Sequence, residues 1–148
     1  MQRGAANLSA IVRSAIESIQ SMHPERAIPV ESHGGCTGQF DADWMAQVFD
    51  NLLGNALAYS PRGSAIDVRL DGAADAVTAR IHNLGEAISP ERLAQLFEPF
   101  ERGTSRANPD GLGLGLFIVQ QLVAAHGGTV RVESNAGGTT FILHLPKS

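Results

Sequence analysis

The sequence predicts an α+β domain built around one largely antiparallel sheet. Two long stretches carry apolar residues at the spacing of a helix face, and two pairs of alternating apolar and polar stretches flank short glycine-containing turns, as in β-hairpins. Hydrophobic residues make up 43% of the 148-residue chain, which is enough for the packed core of one domain over residues 1–148.

Helices are predicted where this spacing coincides with capping residues. Asn7 or Ser9 can cap the first helix, and Ser89 followed by Pro90 is typical of the start of another. Pro61 ends the second helix, because it disfavours helical geometry at the residue before it. The predicted helices cover residues 8–22, about 43–59, 91–97 and 114–126.

Strands are predicted from alternation and from enrichment in Val, Ile and Thr. The glycine-rich stretch 33–39 is predicted to be a loop. The connection 98–113 is also predicted to be a loop, and a loop of that length in a compact domain is more often functional than filler. The predicted strands cover residues 27–32, 65–70, 76–81, 129–134 and 139–146.

The composition disfavours several classes of function. A net charge of −4 without any run of Lys or Arg is unsuited to a nucleic-acid groove or to a face for anionic membranes. Cys36 is the single cysteine, so no intramolecular disulfide can form and a reducing compartment is expected. No apolar run approaches the roughly 18 residues that span a bilayer, so a cytoplasmic location is expected, with a membrane-anchored parent left open.

Three glycines at alternate positions, Gly111, Gly113 and Gly115, run directly into an apolar helix. Such glycines let backbone N–H groups converge on an anion, and the helix N-terminus adds its positive dipole end. A purely structural turn is the alternative. The P-loop pattern is excluded because no Lys follows the glycines, and the Rossmann pattern is excluded because a long loop precedes them.

A polar stripe runs along the second predicted helix. Gln47, Asn51 and Asn55 recur every four residues and therefore lie on one face. Asn is a poor residue for a helix interior, which favours a stripe that faces a ligand over a solvated stripe or a satisfied buried amide. Carboxamide oxygens suit Mg²⁺, which is commonly shared with substrate phosphates and could supply the positive charge that the glycine loop lacks.

Five segments in order resemble the catalytic, ATP-binding domain of sensor histidine kinases, a family grouped with gyrase, Hsp90 and MutL. The resemblance covers roughly residues 5–146. The segments correspond to the family's N box, first glycine box, F box, second glycine box and third glycine box, and they read QVFDNLLGNALAYSP, HNLGEAIS, LFEPFERG, GLGLGLFIVQQLVAAHGG and GGTTFILHLP.

The resemblance implies a two-layer α/β sandwich with a mixed, mostly antiparallel sheet packed on helices. It implies ATP between the layers, under a lid at about residues 100–112. Asn55 would ligate Mg²⁺, Asn51 would contact phosphate or the metal, and Gln47 would assist transfer. Arg102 would reach the γ-phosphate, with Arg106 as a second candidate, and solvated loop charge is the alternative for both. The other implied nucleotide-binding residues are Tyr59, Asn83, Gly85, Ala87, Gly111, Leu112, Gly113, Leu114, Gly115 and Thr139.

Three positions depart from the family pattern. The acidic residue of the first glycine box is Asn83, and its second glycine is Ala87. Asn83 can still accept a hydrogen bond from the adenine amino group, but without charge assistance the bond is weaker by about 1 kcal/mol. Ala58 stands where the family often has Lys or Arg. The His-Asn form of the box resembles a subset of kinases that includes phytochrome-like sensors.

The resemblance implies a kinase domain that binds ATP and Mg²⁺ and transfers the γ-phosphate to a His elsewhere. None of the five histidines has the family's phosphoacceptor context. The expected partners are an upstream dimerisation and phosphoacceptor domain, a response regulator receiver domain and a second copy of the parent. The alternatives are a degenerate nucleotide-binding module and a gyrase-like ATPase. The latter ranks last because Gln47 cannot act as a carboxylate base.

Overall fold

The computed structural model describes residues 1–98 and 115–148. In chain order the elements are β1 (Gly4–Asn7), α1 (Leu8–Met22), β2 (Val30–His33), β3 (Thr37–Phe40), α2 (Ala42–Tyr59), β4 (Ile66–Gly72), β5 (Ala76–Asn83), α3 (Pro90–Gln95), α4 (Gly115–Ala125), β6 (Thr129–Asn135) and β7 (Gly138–Pro146). The predicted α+β class and the mostly antiparallel sheet are confirmed.

The main sheet has the strand order β2-β4-β5-β7-β6. Only β2 runs parallel to its neighbour, β4, and the other pairs are antiparallel. Alternate residues of β4, β5 and β7 are buried, so one face of the sheet forms the core and α2 packs against it between α1 and α4. The inward-facing side chains are Ile66, Val68, Leu70, Val77, Ala79, Ile81, Phe141, Leu143 and Leu145.

A second, two-stranded sheet was missed by the sequence analysis. β3 overlaps the end of the stretch predicted to be a loop and extends one residue beyond it, and β1 precedes the first predicted element. The two strands pair antiparallel, with Gly4 opposite Phe40 and Asn7 opposite Thr37. Each strand is only four residues long and rich in small residues, so the local pattern is weak, and it is the pairing across distant parts of the chain that makes them strands.

The helix ends follow the predicted capping. The Asn7 side chain accepts from Ser9 N at 2.9 Å, and the Ser89 side chain accepts from Arg92 N at 3.3 Å. α2 starts one residue earlier than predicted, with Asp41 as its cap, and it ends at Tyr59 because Ser60 is extended before Pro61. In the described ranges, no helix is long and apolar enough to cross a bilayer.

A buried contact joins the start of α2 to the end of α4. His126 is 1% exposed, its Nδ1 donates to Leu122 O at 2.8 Å, and its Nε2 accepts from Asp41 N at 3.0 Å. Because one ring nitrogen donates and the other accepts, this imidazole is neutral.

Asp41 connects the same contact to the N-terminal strand. Its carboxylate accepts from Gln2 N at 2.7 Å and from Trp44 N at 3.1 Å. These hydrogen bonds, with that from Gln2 the stronger influence, hold the pKa of Asp41 below its usual value. In the same way, the hydrogen bond from Arg69 lowers the pKa of Asp71 on the outer face of the sheet.

We expect the chain to lose stability as the pH falls below about 4. A carboxyl with a lowered pKa stabilises the folded state above its unfolded pKa, and this contribution disappears as the pH falls through the folded pKa. The free energy of unfolding, measured with urea between pH 7 and pH 3, should therefore fall more steeply for the unchanged chain than for Asp41→Asn. Asparagine retains a side chain that can cap the helix. The exposed control Glu17→Gln should follow the unchanged chain, and an Asp41→Asn profile as steep as that of the unchanged chain would contradict this account.

Candidate functional site

One face of α2 and the ends of the central strands enclose a cavity of about 680 Å³. Its lining includes six residues that the sequence analysis singled out. They are Asn55, Ala58 and Tyr59 on α2, Asn83 and Ala87 in the first glycine box, and Thr139 on β7. The lining residues are Asn55, Ala58, Tyr59, Asn83, Glu86, Ala87, Ile88, Ser89, Arg92, Leu96, Thr139 and Phe141.

The core packing of α2 determines which of its side chains reach the cavity. Val48, Leu52 and Ala56 are buried against the sheet and the neighbouring helices. The residues between them, Asn51 and Asn55, therefore lie at the margin of the core with intermediate exposure. Asn55 lines the cavity, whereas Gln47, two turns earlier, is exposed and outside the described lining.

Asn51 carries a buried polar atom in need of a partner. Its Nδ2 is inaccessible to solvent and has no hydrogen-bond partner within residues 1–98 and 115–148. Leaving such a donor unsatisfied costs about 1–3 kcal/mol, so native proteins pair nearly all of these atoms. Asn51 is outside the described lining, whereas Asn55, one helix turn later, lines the cavity, where its carboxamide can meet an oxygen-rich ligand, so the residues present fit a phosphate group.

Asn83 and Thr139 form the opposite end of the cavity. They are directly opposed on β5 and β7, and their exposed fractions are 2% and 5%. Asn83 Nδ2 donates to the backbone oxygen of Leu84 at 2.9 Å. Because a carbonyl oxygen can accept only from the N–H end of the amide, this bond orients Asn83 with Oδ1 as the remaining acceptor.

The backbone at Gly85 leaves no room for a side chain, whereas position 87 of the same box can hold alanine. Gly85 has φ +150°, and a Cβ there would lie 2.7 Å from the backbone oxygen of Tyr59. The loop can therefore cross the end of α2 only without a side chain at this position. Ala87 is exposed and lines the cavity, where its methyl group is accommodated. Gly85 positions the loop and does not itself line the cavity.

A buried arginine holds the end of α2, and the sequence analysis did not identify it. Arg26 is 7% exposed, its Nε donates to Ser64 O at 2.9 Å and its Nη2 donates to Ser60 Oγ at 2.6 Å. These bonds fix the segment that follows Tyr59. The pattern around Arg26 in the sequence is not distinctive, because its partners lie more than thirty residues away.

The cavity also includes charged residues that were not predicted. Glu86 and Arg92 both line it, and Arg92 is the basic residue of the described lining. The available signal was its position in the first turn of α3, three residues after the cap Ser89. Among the described lining residues, the basic side chain therefore comes from α3.

Several predicted residues lie outside the described ranges. These are the lid at about 100–112, Arg102 and Arg106, and the glycine-loop residues Gly111, Leu112, Gly113 and Leu114. Gly115 is described as the first residue of α4, where a Cβ would meet nothing within 4 Å. In the part of the chain that is described, no three His, Cys, Asp or Glu side chains cluster as a metal site.

Comparisons with known proteins agree with this geometry. Residues 40–148 match the family described as histidine kinase-, DNA gyrase B- and HSP90-like ATPase. The sensor histidine kinase CusS of Escherichia coli O157:H7 is 36% identical over 144 residues, which are 95% of this chain and 30% of CusS. The matched region spans 30% of CusS and 33% of the sensor protein VanS of Enterococcus faecium.

Two solved structures extend the comparison to three dimensions. The catalytic domain of the histidine kinase ThkA superposes with a TM-score of 0.89 at 24% identity, covering 99% of this chain and 97% of that one. Full-length ShkA in complex with AMPPNP superposes with a TM-score of 0.80 at 25% identity, covering 99% of this chain and 31% of ShkA. The predicted two-layer fold is confirmed by these structures.

Proposed function

The chain belongs to the histidine kinase-, DNA gyrase B- and HSP90-like ATPase family as an ATP-binding catalytic domain of the sensor histidine kinase type, and we propose that it transfers the γ-phosphate of ATP to a histidine outside this chain. The observation that carries the proposal is a cavity with the carboxamide of Asn55 in its lining, one helix turn after the unpartnered Nδ2 of Asn51, and with an oriented acceptor, Asn83 Oδ1, also in its lining. An amide that needs a polar partner at each end suits a nucleotide, with its phosphates toward Asn51 and its base toward Asn83. ShkA, which shares the fold, has been solved with AMPPNP.

The residues of α2 would serve the phosphate end. Asn55 would ligate Mg²⁺ and Asn51 would donate to a phosphate oxygen, with Gln47 one turn earlier to assist transfer. Mg²⁺ held there would supply positive charge to offset that of the phosphates. Arg102 would add a guanidinium at the γ-phosphate. The glycine run from Gly111 to Gly115, including Leu112, Gly113 and Leu114, would supply backbone N–H groups for the phosphates.

The base end would be formed by the ends of β5 and β7. Asn83 would accept from the adenine amino group, with Thr139 beside it. Tyr59, in the last turn of α2, would flank the base or the ribose. Gly85 and Ala87 would shape the loop that covers this end of the nucleotide.

We propose that residues 1–148 form one catalytic domain of a larger kinase. The phosphoacceptor would be a histidine on a dimerisation hairpin of a homodimeric parent. That histidine would then pass the phosphoryl group to the receiver domain of a response regulator. The basis is that none of the chain's own histidines has the phosphoacceptor context, and that the curated relatives are about three times as long.

A second candidate is a nucleotide-binding module without kinase activity. It is favoured by Ala58, which lines the cavity where the family often places a cation, and by the neutral Asn83. An ATPase of the gyrase type is less well supported, because the residue at the position of the general base is Gln47, an exposed carboxamide.

Calorimetric titration of the chain with ATP or ADP tests the proposal. We expect binding below millimolar concentration that Mg²⁺ strengthens, with no hydrolysis and no label on the chain after incubation with γ-labelled ATP. Label should appear when the dimerisation hairpin proposed to precede this domain is supplied. No heat at millimolar nucleotide would contradict ATP binding, and binding without transfer to the hairpin would favour the regulatory module.

A further inference from the structure

Arg26 is a buried cation whose hydrogen-bond partners are all neutral. It is 7% exposed, its Nε donates to Ser64 O at 2.9 Å, and its Nη2 donates to Ser60 Oγ at 2.6 Å and to Ser64 Oγ at 3.5 Å. In the described ranges, no carboxylate oxygen lies within 4.0 Å of its guanidinium nitrogens. An apolar side chain would fill this space without the cost of desolvating a charge, so we expect the guanidinium to have a role of its own.

The charge of Arg26 lies at the C-terminal end of α2. Ser60 is the residue that caps this end, and the last turn of α2 has no basic side chain of its own. The free carbonyl groups at a helix C-terminus carry partial negative charge, which a nearby cation stabilises. Arg26 supplies that cation from the segment between α1 and β2, 34 positions earlier in the chain than Ser60. It thus supports the last turn of α2, which ends at Tyr59.

This last turn forms part of the cavity wall and also supports the loop next to it. Asn55, Ala58 and Tyr59 line the cavity. A Cβ on Gly85 would lie 2.7 Å from the backbone oxygen of Tyr59, so the first glycine box passes directly against the end of α2. Ala87 of the same box lines the cavity as well. A displacement at the end of α2 would therefore move two parts of the lining together.

We propose that Arg26 is a positioning residue for nucleotide binding, which acts through Ser60 to hold Tyr59 in place at the bound nucleotide. Arg26 is outside the described lining, so it acts without contact to the ligand. Its planar guanidinium suits this role, because one rigid group donates to Ser60 and to Ser64, at the two ends of the turn between α2 and β4. The proposal rests on the proposed function, because it assumes that the nucleotide binds in this cavity.

Nucleotide affinity and the surroundings of Tyr59 can be measured separately. Tyr59 is the single tyrosine of the chain, so labelling with fluorotyrosine gives one fluorine NMR signal, which reports on this side chain. We expect Arg26→Met and Ser60→Ala each to shift or broaden that signal and to weaken ADP binding about fivefold, the effect of one hydrogen bond. Ser60→Thr keeps the hydroxyl and suits the extended backbone at this position, so it should preserve both the signal and the affinity.

A double variant tests whether Arg26 acts through Ser60. In the Arg26→Met background, Ser60→Ala should change the dissociation constant for ADP less than about twofold. Arg13→Met is the matched control, because it removes an arginine-to-serine hydrogen bond of 3.3 Å, to Ser9, on the exposed side of α1. It should leave both the fluorine signal and the affinity unchanged.

Ser60→Ala is the milder change and keeps the proposal testable if Arg26→Met does not fold. An unaltered ADP affinity or an unaltered fluorine signal in Ser60→Ala would overturn the proposal. A fivefold loss on adding Ser60→Ala to Arg26→Met would also overturn it, because the two residues would then act independently. Either result with an unchanged chain that binds ADP leaves the proposed function intact. Failure of the unchanged chain to bind ADP would overturn the proposed function and this proposal with it.

Discussion

Replacing Asn51 with alanine is expected to weaken ATP binding by about 10- to 100-fold and to raise the free energy of unfolding of the nucleotide-free chain by about 1 kcal/mol. The loss of affinity follows from removing a hydrogen bond to a charged phosphate. The gain in stability follows because Asn51 Nδ2 is buried without a partner in the described ranges, and because alanine is the better helix former. Calorimetry and urea unfolding measure the two effects separately.

The combination of opposite effects is what makes this variant informative. Asp50→Ala is the control, since it places alanine at an exposed position of the same helix and should leave nucleotide affinity within about twofold. An Asn51→Ala variant that is less stable than the unchanged chain would show that the amide is satisfied without a ligand. Unaltered ATP affinity would remove Asn51 from the phosphate end.

Gly138→Ala is expected to destabilise the chain by about 3 kcal/mol and to weaken nucleotide binding. Gly138 has φ +118°, and a Cβ there would lie 2.2 Å from the backbone oxygen of Asn83 and 2.8 Å from His82 Nε2. Both the backbone conformation and the contact oppose a side chain. The strand ends that hold Asn83 and Thr139 would have to separate to accommodate it.

Gly63→Ala is the matched control for this prediction. Gly63 also has a positive φ, +83°, but a Cβ there would meet nothing within 4 Å. Gly63→Ala should therefore lower the free energy of unfolding only by the cost of the left-handed backbone conformation, about 1 kcal/mol. It should leave nucleotide affinity unchanged. Equal unfolding midpoints for the two variants would mean that close packing between Gly138 and Asn83 contributes nothing to stability.

Much of the fold was predictable because its patterns are local. The apolar spacing of α1, the cap at Ser89, the proline after α2 and the two hairpins were all read correctly to within a few residues. The stripe formed by Asn51 and Asn55 was also predictable, since two asparagines four residues apart on an otherwise apolar helix conflict with helix propensity unless they serve a site. The assignment of this stripe to a nucleotide site stays a prediction.

Other features depend on contacts between distant parts of the chain. Asp41 meets His126 across 85 positions, and Arg26 meets Ser64 across 38. His126 takes its two backbone partners, Asp41 N and Leu122 O, only when α2 and α4 have packed together. Arg92 on α3 lines the same cavity as Asn55 on α2 and Thr139 on β7, and only the folded chain brings these elements together.

The sequence alone therefore determined the class of fold, the order of its elements and the polar face of α2, since each depends on residues within about one helix turn or one hairpin of one another. The tertiary structure decided which groups are donors and which are acceptors at the site. Leu84 O orients the amide of Asn83, Ser134 and Thr139 pair through their hydroxyl groups, and Gly85 and Gly138 allow close approach of the backbone. The physical reason is that a hydroxyl or an amide takes its hydrogen-bonding direction from its neighbours in space, and these are set only when the strands and loops have packed.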